Sequence, residues 1–335
     1  MAHRFARLWL VLMAFVLIPG ALHAACGGSD LMPGLAADNP VGHQEIFARA
    51  AQAPNASGKF WRIEKPGIAP SHLFGTFHDT EAHQLIGAEI WDRLAASDSA
   101  WFELSLAEEA RMQADIAARP LEIVFDMSQP PLSERLSEDQ RDLIAQALES
   151  RGIPFQAAEQ MRSWMLVALL GFPACEIRAL QAGEQSLDQR LAQFAVDRGI
   201  VEAGLETYEQ SLAGIEDMSD RDLLDMLADY GRNLGGEEDQ RRTRLGLYQS
   251  GEIMAIAEFG IWQAEQQGFD RAREMTDRFF ESALTKRNIA WLDRLIPALE
   301  GGNAFVAVGA LHLPGESGLV RLLRDQGWTV TRLDG

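Results

Sequence analysis

Two short stretches near opposite ends of the chain look like copies of one device, and they narrow the folds open to it. Residues 71–78 read Ser-His-Leu-Phe-Gly-Thr-Phe-His, and residues 304–312 read Ala-Phe-Val-Ala-Val-Gly-Ala-Leu-His. Each is a brief apolar run that leads into Gly-x-x-His. A polar turn and an amphipathic stretch follow, and a second apolar run closes each unit, at residues 100–104 and 328–331. The pattern reads as strand, glycine-containing turn carrying a His, helix, strand.

The rest of the chain fits around these units. Residues 60–64 alternate apolar and polar as a strand does, and residues 65–70 hold two prolines and a glycine, a turn. Residues 60–106 therefore predict a β-hairpin, then a helix near 89–96 and a third strand at 101–104. Such a crossover favours parallel pairing of the last two strands. The next stretch, about 107–300, is helix after helix. Ser137 to Gln140 predicts a capping box opening a helix to about Ser150, and Ser219 to Asp222 predicts a second. Residues 161–170 are apolar enough to be buried, and Leu187, Leu191, Phe194 and Ala195 keep helical spacing. A long helix is expected over about 271–299, and a short strand interrupts the series at 199–206. An amphipathic segment at 44–53 precedes the first strand. At the end, a strand at 305–308, a helix at 315–326 capped by Gly327 and a strand at 328–333 follow one another. The expected class is α/β. A mixed, largely parallel sheet is built from both chain ends (about 59–106 and 303–334), with a large helical insertion between them, in a single domain spanning 26–335.

Residues 1–25 differ from the rest. Arg4 and Arg7 precede an uncharged apolar run at 8–18, then Pro19-Gly20 and a small-residue ending. That is the layout of a cleaved signal peptide, and the apolar run is too short for a permanent membrane span. The expected location is periplasmic or secreted, with no transmembrane segment after removal of the leader. The chain has two cysteines, Cys26 and Cys175. In an oxidising compartment they would form a disulfide; the alternative is a lipoprotein anchored at Cys26, which excludes the bridge. Loss of Arg4 and Arg7 with the leader takes the net charge from −19 to −21. So acidic a body repels phosphate backbones, so no nucleic-acid partner is expected.

The chemistry gathers on the two units. A turn that follows a strand lies at the strand's carboxyl end, where ligand sites of open parallel sheets collect. Gly75 and Gly309 let the backbone turn or approach a ligand, and His78 and His312 can then face one crevice. Glu103, flanked by Trp101, Phe102 and Leu104, is awkward to expose, and a buried carboxylate needs a cation. Arg287 is its candidate partner. Two His and one carboxylate suit a divalent metal that activates water. Glu206 is a second possible acid, read as a first-turn helix residue favoured by the helix dipole. His43, His72 and His83 are read as ordinary surface or strand-edge residues. No Gly-x-Ser-x-Gly elbow, His-Glu-x-x-His helix or phosphate-binding glycine loop is present, which disfavours serine hydrolases, helical zincins and P-loop enzymes.

Gly75-Thr76-Phe77-His78, Phe102-Glu103-Leu104, Leu205-Glu206-Thr207 with Gln210, Arg287-Asn288 with Trp291, and Gly309-Ala310-Leu311-His312 before a Leu-rich helix together resemble the TraB/GumN family. This family includes the Tiki metalloproteases and is similar to erythromycin esterases and the haem-binding ChaN-like group. The resemblance implies His78, His312 and Glu103 as the active centre, with manganese or cobalt supporting activity. Many members carry Asp two residues after the Glu, where this chain has Ser105.

The expected function is an exported metal-dependent hydrolase (Mn, Co or Zn), acting on a peptide or protein substrate in the cell envelope. Glu103 would complete the metal site or act as base, and Arg287 would balance the carboxylate or polarise the scissile carbonyl. The alternative is a non-catalytic periplasmic carrier of haem or another ligand, or a protein related to envelope polysaccharide, that uses the same crevice.

Overall fold

A computed structural model describes residues 26–334. The expected leader lies outside the described residues. Six strands form one sheet: β1 (Phe60–Glu64), β2 (Ser71–Thr76), β3 (Ser99–Phe102), β4 (Val201–Gly204), β5 (Ala304–Gly309) and β6 (Thr329–Arg332). Their order is β4-β3-β5-β2-β1-β6. β1 pairs antiparallel with β2 and β6, whereas β2–β5, β5–β3 and β3–β4 are parallel. The sheet is thus α/β, mixed and largely parallel, with both chain ends contributing strands. β2 and β3 are parallel but not neighbours, because β5 lies between them and bonds to both.

Burial explains the order. β2 and β5 are buried at every position, as expected of central strands covered on both faces. Alternate residues feed two cores. Phe60, Phe74, Ala100, Phe102, Phe305 and Ala307 face one side, under helices that include Pro40–Ala50, Leu187–Asp197 and Ile253–Gln266. Trp61, Leu73, Val306, Val308 and Val330 face the other, under helices Lys286–Gly301 and Leu319–Asp325. A third apolar cluster belongs to the helical insertion alone, around Leu148, Leu166 and Leu227.

The predicted insertion is helical, with β4 as its exception. Ser137 and Gln140 form the reciprocal cap expected of helix Glu138–Ser150. At helix Asp220–Arg232 Ser219 accepts the Asp222 N–H, but the expected reciprocal bond is replaced: the Asp222 carboxylate takes the Ser219 hydroxyl, Arg271 and Arg278 rather than the Ser219 N–H. The long helix is divided: Ala272–Phe280, a π-helical turn Glu281–Thr285, then Lys286–Gly301. The last helix is shorter than its apolar spacing suggests, Leu319–Asp325, because the chain after β5 first makes a 3-10 turn and a loop. The amphipathic segment near the start is helix Pro40–Ala50, which begins where Asn39 accepts the Gly42 N–H.

Cys26 and Cys175 form a disulfide. The bridge uses the sulfur that lipidation would need, so a lipid anchor at Cys26 is excluded while it is formed. No single helix among the described residues is long and apolar enough to cross a membrane.

His72 departs from its reading as an ordinary edge residue. It is buried on β2, stacked on Phe60 at 5.6 Å between ring centres. Burial, with Arg93 and Arg62 nearby, pushes its pKa down from 6.5 to about 4. The folded chain therefore favours the neutral ring, and the stability this preserves above the unfolded value is lost as pH falls towards 4. The cost of protonating it in place is on the order of 3 kcal/mol. His72→Phe should be measurably less sensitive than wild type to a shift from pH 7 to pH 4.5 in urea unfolding. Parallel loss of midpoint in both proteins would show that His72 is not a source of acid lability.

Candidate functional site

Four adjacent parallel strands each deliver a group to one end of the sheet. His78 lies just beyond β2, Glu103 directly after β3 and Glu206 beyond β4. Gly309 ends β5, and His312 closes the 3-10 turn Ala310–His312 that follows. The registers Thr76↔Gly309 and Phe102↔Ala307 put these strand ends side by side.

Glu103 is the hub. Its Oε1 accepts the Gly309 N–H at 2.7 Å, and its Oε2 accepts Arg287 Nη2 at 2.6 Å. His312 Nε2 lies 3.6 Å and His78 Nε2 3.8 Å from Oε1. The two imidazoles and the carboxylate predicted from the sequence thus meet, and Arg287 is the expected partner of Glu103. Gly309 sits at their centre. A Cβ there would fall 3.1 Å from Glu103 Oε1, 3.2 Å from His78 Nε2 and 3.5 Å from His312 Cδ2. The space that three side chains share is open because residue 309 has none. Gly75 works differently: a Cβ there would strike Leu313 and Ala310, so its glycine serves the packing of the loop after β5 rather than a ligand.

Each imidazole is held through its other nitrogen. His78 Nδ1 is 2.8 Å from Asp188 Oδ2, and the other oxygen of Asp188 accepts the Thr76 hydroxyl. His312 Nδ1 is 2.6 Å from Asn288 Oδ1, while the amide nitrogen of Asn288 donates to the carbonyls of His312 and Ser317. That amide orientation makes Oδ1 the acceptor and places the His312 proton on Nδ1. Each ring then directs Nε2 towards Glu103. Orientation of a ring by a carboxylate or carbonyl behind it is the usual support of a metal-ligating His.

The electrostatics differ sharply between the two rings. Asp188 pushes His78 up to about 9, although the side chain is 54% exposed and solvent screens part of that effect. Burial pushes His312 down to about 3; its side chain is only 4% exposed and packs on Trp291, with ring centres 4.4 Å apart. Burial alone would raise the Glu103 carboxyl. The charges of His312 when protonated, Arg287 and His78, together with the Gly309 N–H, hold it well below the usual carboxylate range.

Glu206 is not the dipole-stabilised helix residue read from the sequence. It is buried, accepts Arg287 through Nε and Nη2 (2.5–3.2 Å), and accepts the Trp291 indole N–H at 2.9 Å. Ser105 accepts the Glu108 N–H and caps helix Leu106–Ala118. A buried clamp fixes the loop after His78. Asp79 takes Arg241 through both oxygens at 2.6 and 2.7 Å, and Glu176, next to Cys175, accepts the Thr80 N–H and hydroxyl.

Asp188 and Thr76 were beyond sequence reasoning. An Asp in the first turn of a helix is ordinary, and nothing in the spacing marks Asp188 as facing a residue from another strand. Asn288 stood out only as a neighbour of Arg287.

A family model described as the TraB/PrgY/gumN family matches residues 59–332. The chain belongs to the TraB/PrgY/gumN family. It is 26% identical over 269 residues to the uncharacterized protein YbaP of Shigella flexneri, covering 78% of this chain and 90% of that one. It shares the same identity and coverage with YbaP of Escherichia coli K12. No solved structure matches significantly.

Gly309→Ala isolates the shared space. Residue 309 has an ordinary negative φ, so alanine adds no backbone strain and only the new methyl matters. Its methyl should cut ligand binding at the site at least tenfold, with a melting temperature within a few degrees of wild type. Unchanged binding would mean that the space at residue 309 is not used.

Proposed function

We propose that the chain is an exported metal-dependent hydrolase, with His78, His312 and Glu103 holding the metal and a peptide bond as its target. The observation that carries this reading is the arrangement of the two rings. Each is anchored through Nδ1, and each directs Nε2 at the Glu103 oxygen across the opening left by Gly309. The set of two imidazoles and one carboxylate fits manganese, cobalt or zinc. Among the described residues no three His, Cys, Asp or Glu side chains form a ready-made cage, so the fit rests on donor chemistry and on the open space. A divalent metal bound there would acidify a water and polarise a carbonyl.

The residues divide the remaining work. Glu103, held far below the usual carboxylate range, is a poor base and suits the role of ligand. Arg287 has little left to offer a substrate. Its Nε and Nη2 donate to Glu206 and Glu103, and its Nη1 donates to the Ala283 carbonyl and lies 3.4 Å from His312 Nε2, so it balances charge rather than polarising the scissile bond, and a metal at Nε2 would displace that last contact. His78 is the exposed member of the set and faces an incoming substrate. A haem carrier is a weaker fit, because the His312 ring is enclosed between Trp291 and Asn288. The leader sequence and the disulfide support export.

Elemental analysis of protein purified without chelator tests the reading. Wild type should carry about one divalent metal per chain, the stoichiometry of a single site. His78→Ala and His312→Ala should each lose it while remaining folded. Chelation should abolish peptide hydrolysis, and manganese or cobalt should restore it. Stoichiometric metal retained by the double His variant would defeat the proposal.

A further inference from the structure

Arg287 stands between two carboxylates, and the sharing is unequal. Glu206 engages Nε at 3.1 and 3.2 Å through its two oxygens and takes Nη2 at 2.5 Å, while Glu103 has one contact, Nη2 at 2.6 Å. Glu206 is fixed in turn by the Trp291 indole N–H and is 3% exposed. It has no contact with either His ring, and it lies at the end of the edge strand β4, away from the opening at Gly309. A buried carboxylate with one cation needs no second partner, so the presence of two on one guanidinium calls for an explanation.

We infer that Glu206 is a positioning residue that draws the Arg287 guanidinium onto itself, leaving Glu103 with surplus negative charge directed at the two imidazoles. The inference rests on the metal-binding reading above. The charges make the point: Glu103 and Arg287 alone form a neutral pair, with little pull on a divalent cation. Adding Glu206 gives the trio a net charge of −1 beside the two imidazoles. The geometry agrees, because the Glu103 oxygen nearest both rings is Oε1, which accepts only the Gly309 backbone N–H, while the guanidinium donates to Oε2 and reaches the rings only through a 3.4 Å contact of Nη1 with His312 Nε2. Glu206 thus acts through Arg287 and touches neither metal nor substrate.

The test is Mn²⁺ titration by calorimetry on the full mature chain, with melting temperatures for every variant. Glu206→Gln keeps the shape and can still accept from Trp291 and Arg287, but it returns the guanidinium's whole charge to Glu103. Its Mn²⁺ affinity should fall by about 10- to 100-fold, the range seen when outer partners of a metal site are altered. The double variant Glu206→Gln/Arg287→Gln removes both charges, restores the net −1 on Glu103 and should regain most of the lost affinity. Because it leaves Glu103 buried without its cation, its melting temperature shows whether any failure to recover affinity is a folding defect.

Wild-type affinity in Glu206→Gln overturns the inference, and so does a double variant as weak as the single one, since that pattern marks a purely structural anchor. Lack of His78-dependent Mn²⁺ binding in the wild-type chain would overturn the metal reading itself, and this inference with it. Metal binding by wild type with an indifferent Glu206→Gln would overturn this inference alone.

Discussion

The parallel pairing of β5 with both β2 and β3 decides where the chemistry collects, because it places a segment from the far end of the chain between two from the near end. Strand ends in a parallel sheet point the same way, and neighbours lie about 4.8 Å apart. Residues just past β2, β3 and β5 are therefore brought within reach of one another without any long loop. The insertion is energetically reasonable. β5 is buried along its whole length between two apolar layers, and its ladder bonds are satisfied on both edges. Every contact of Glu103 with Gly309 and His312 depends on it.

Within that frame the site is a balance between charge and burial. Glu103, Glu206 and Arg287 are all largely or fully buried, which would be costly for any of them alone. Together they satisfy one another, with Trp291 and the Gly309 N–H taking the remaining acceptor positions. The two histidines differ for a related reason. His312 is enclosed and loses its proton readily, whereas His78 is half exposed beside Asp188 and holds its proton more tightly. The helical insertion supports the same site from behind. It supplies Asp188 and Glu206, and through Arg241 and Glu176 it clamps the loop that carries His78.

Much of this was legible in the chain. Two Gly-x-x-His units after apolar runs, with Glu103 ending another, carried enough information to anticipate the sheet and the meeting of His78, His312, Glu103 and Arg287. Three features were not legible. Strand order within a sheet is a long-range property, so the crossover from β2 to β3 was visible but the strand that separates them was not. Glu206 looked like a first-turn helix acid because its burial depends on Arg287 and Trp291, far along the chain. Asp188 resembled any acid near a helix start, since the ring it orients belongs to a loop more than a hundred residues earlier. Local pattern specifies elements and their ends, whereas partners across the sheet emerge only from the packing.

The proposed function requires that those strand ends form one cation site. Diffraction from crystals of the protein soaked in Mn²⁺, collected near the manganese absorption edge, locates the ion directly. The predicted result is a single anomalous peak about 2.0–2.3 Å from the Nε2 atoms of both His78 and His312 and from a Glu103 oxygen. A fully substituted ion elsewhere on the chain, or two rings separated by more than one ion can bridge, would contradict it.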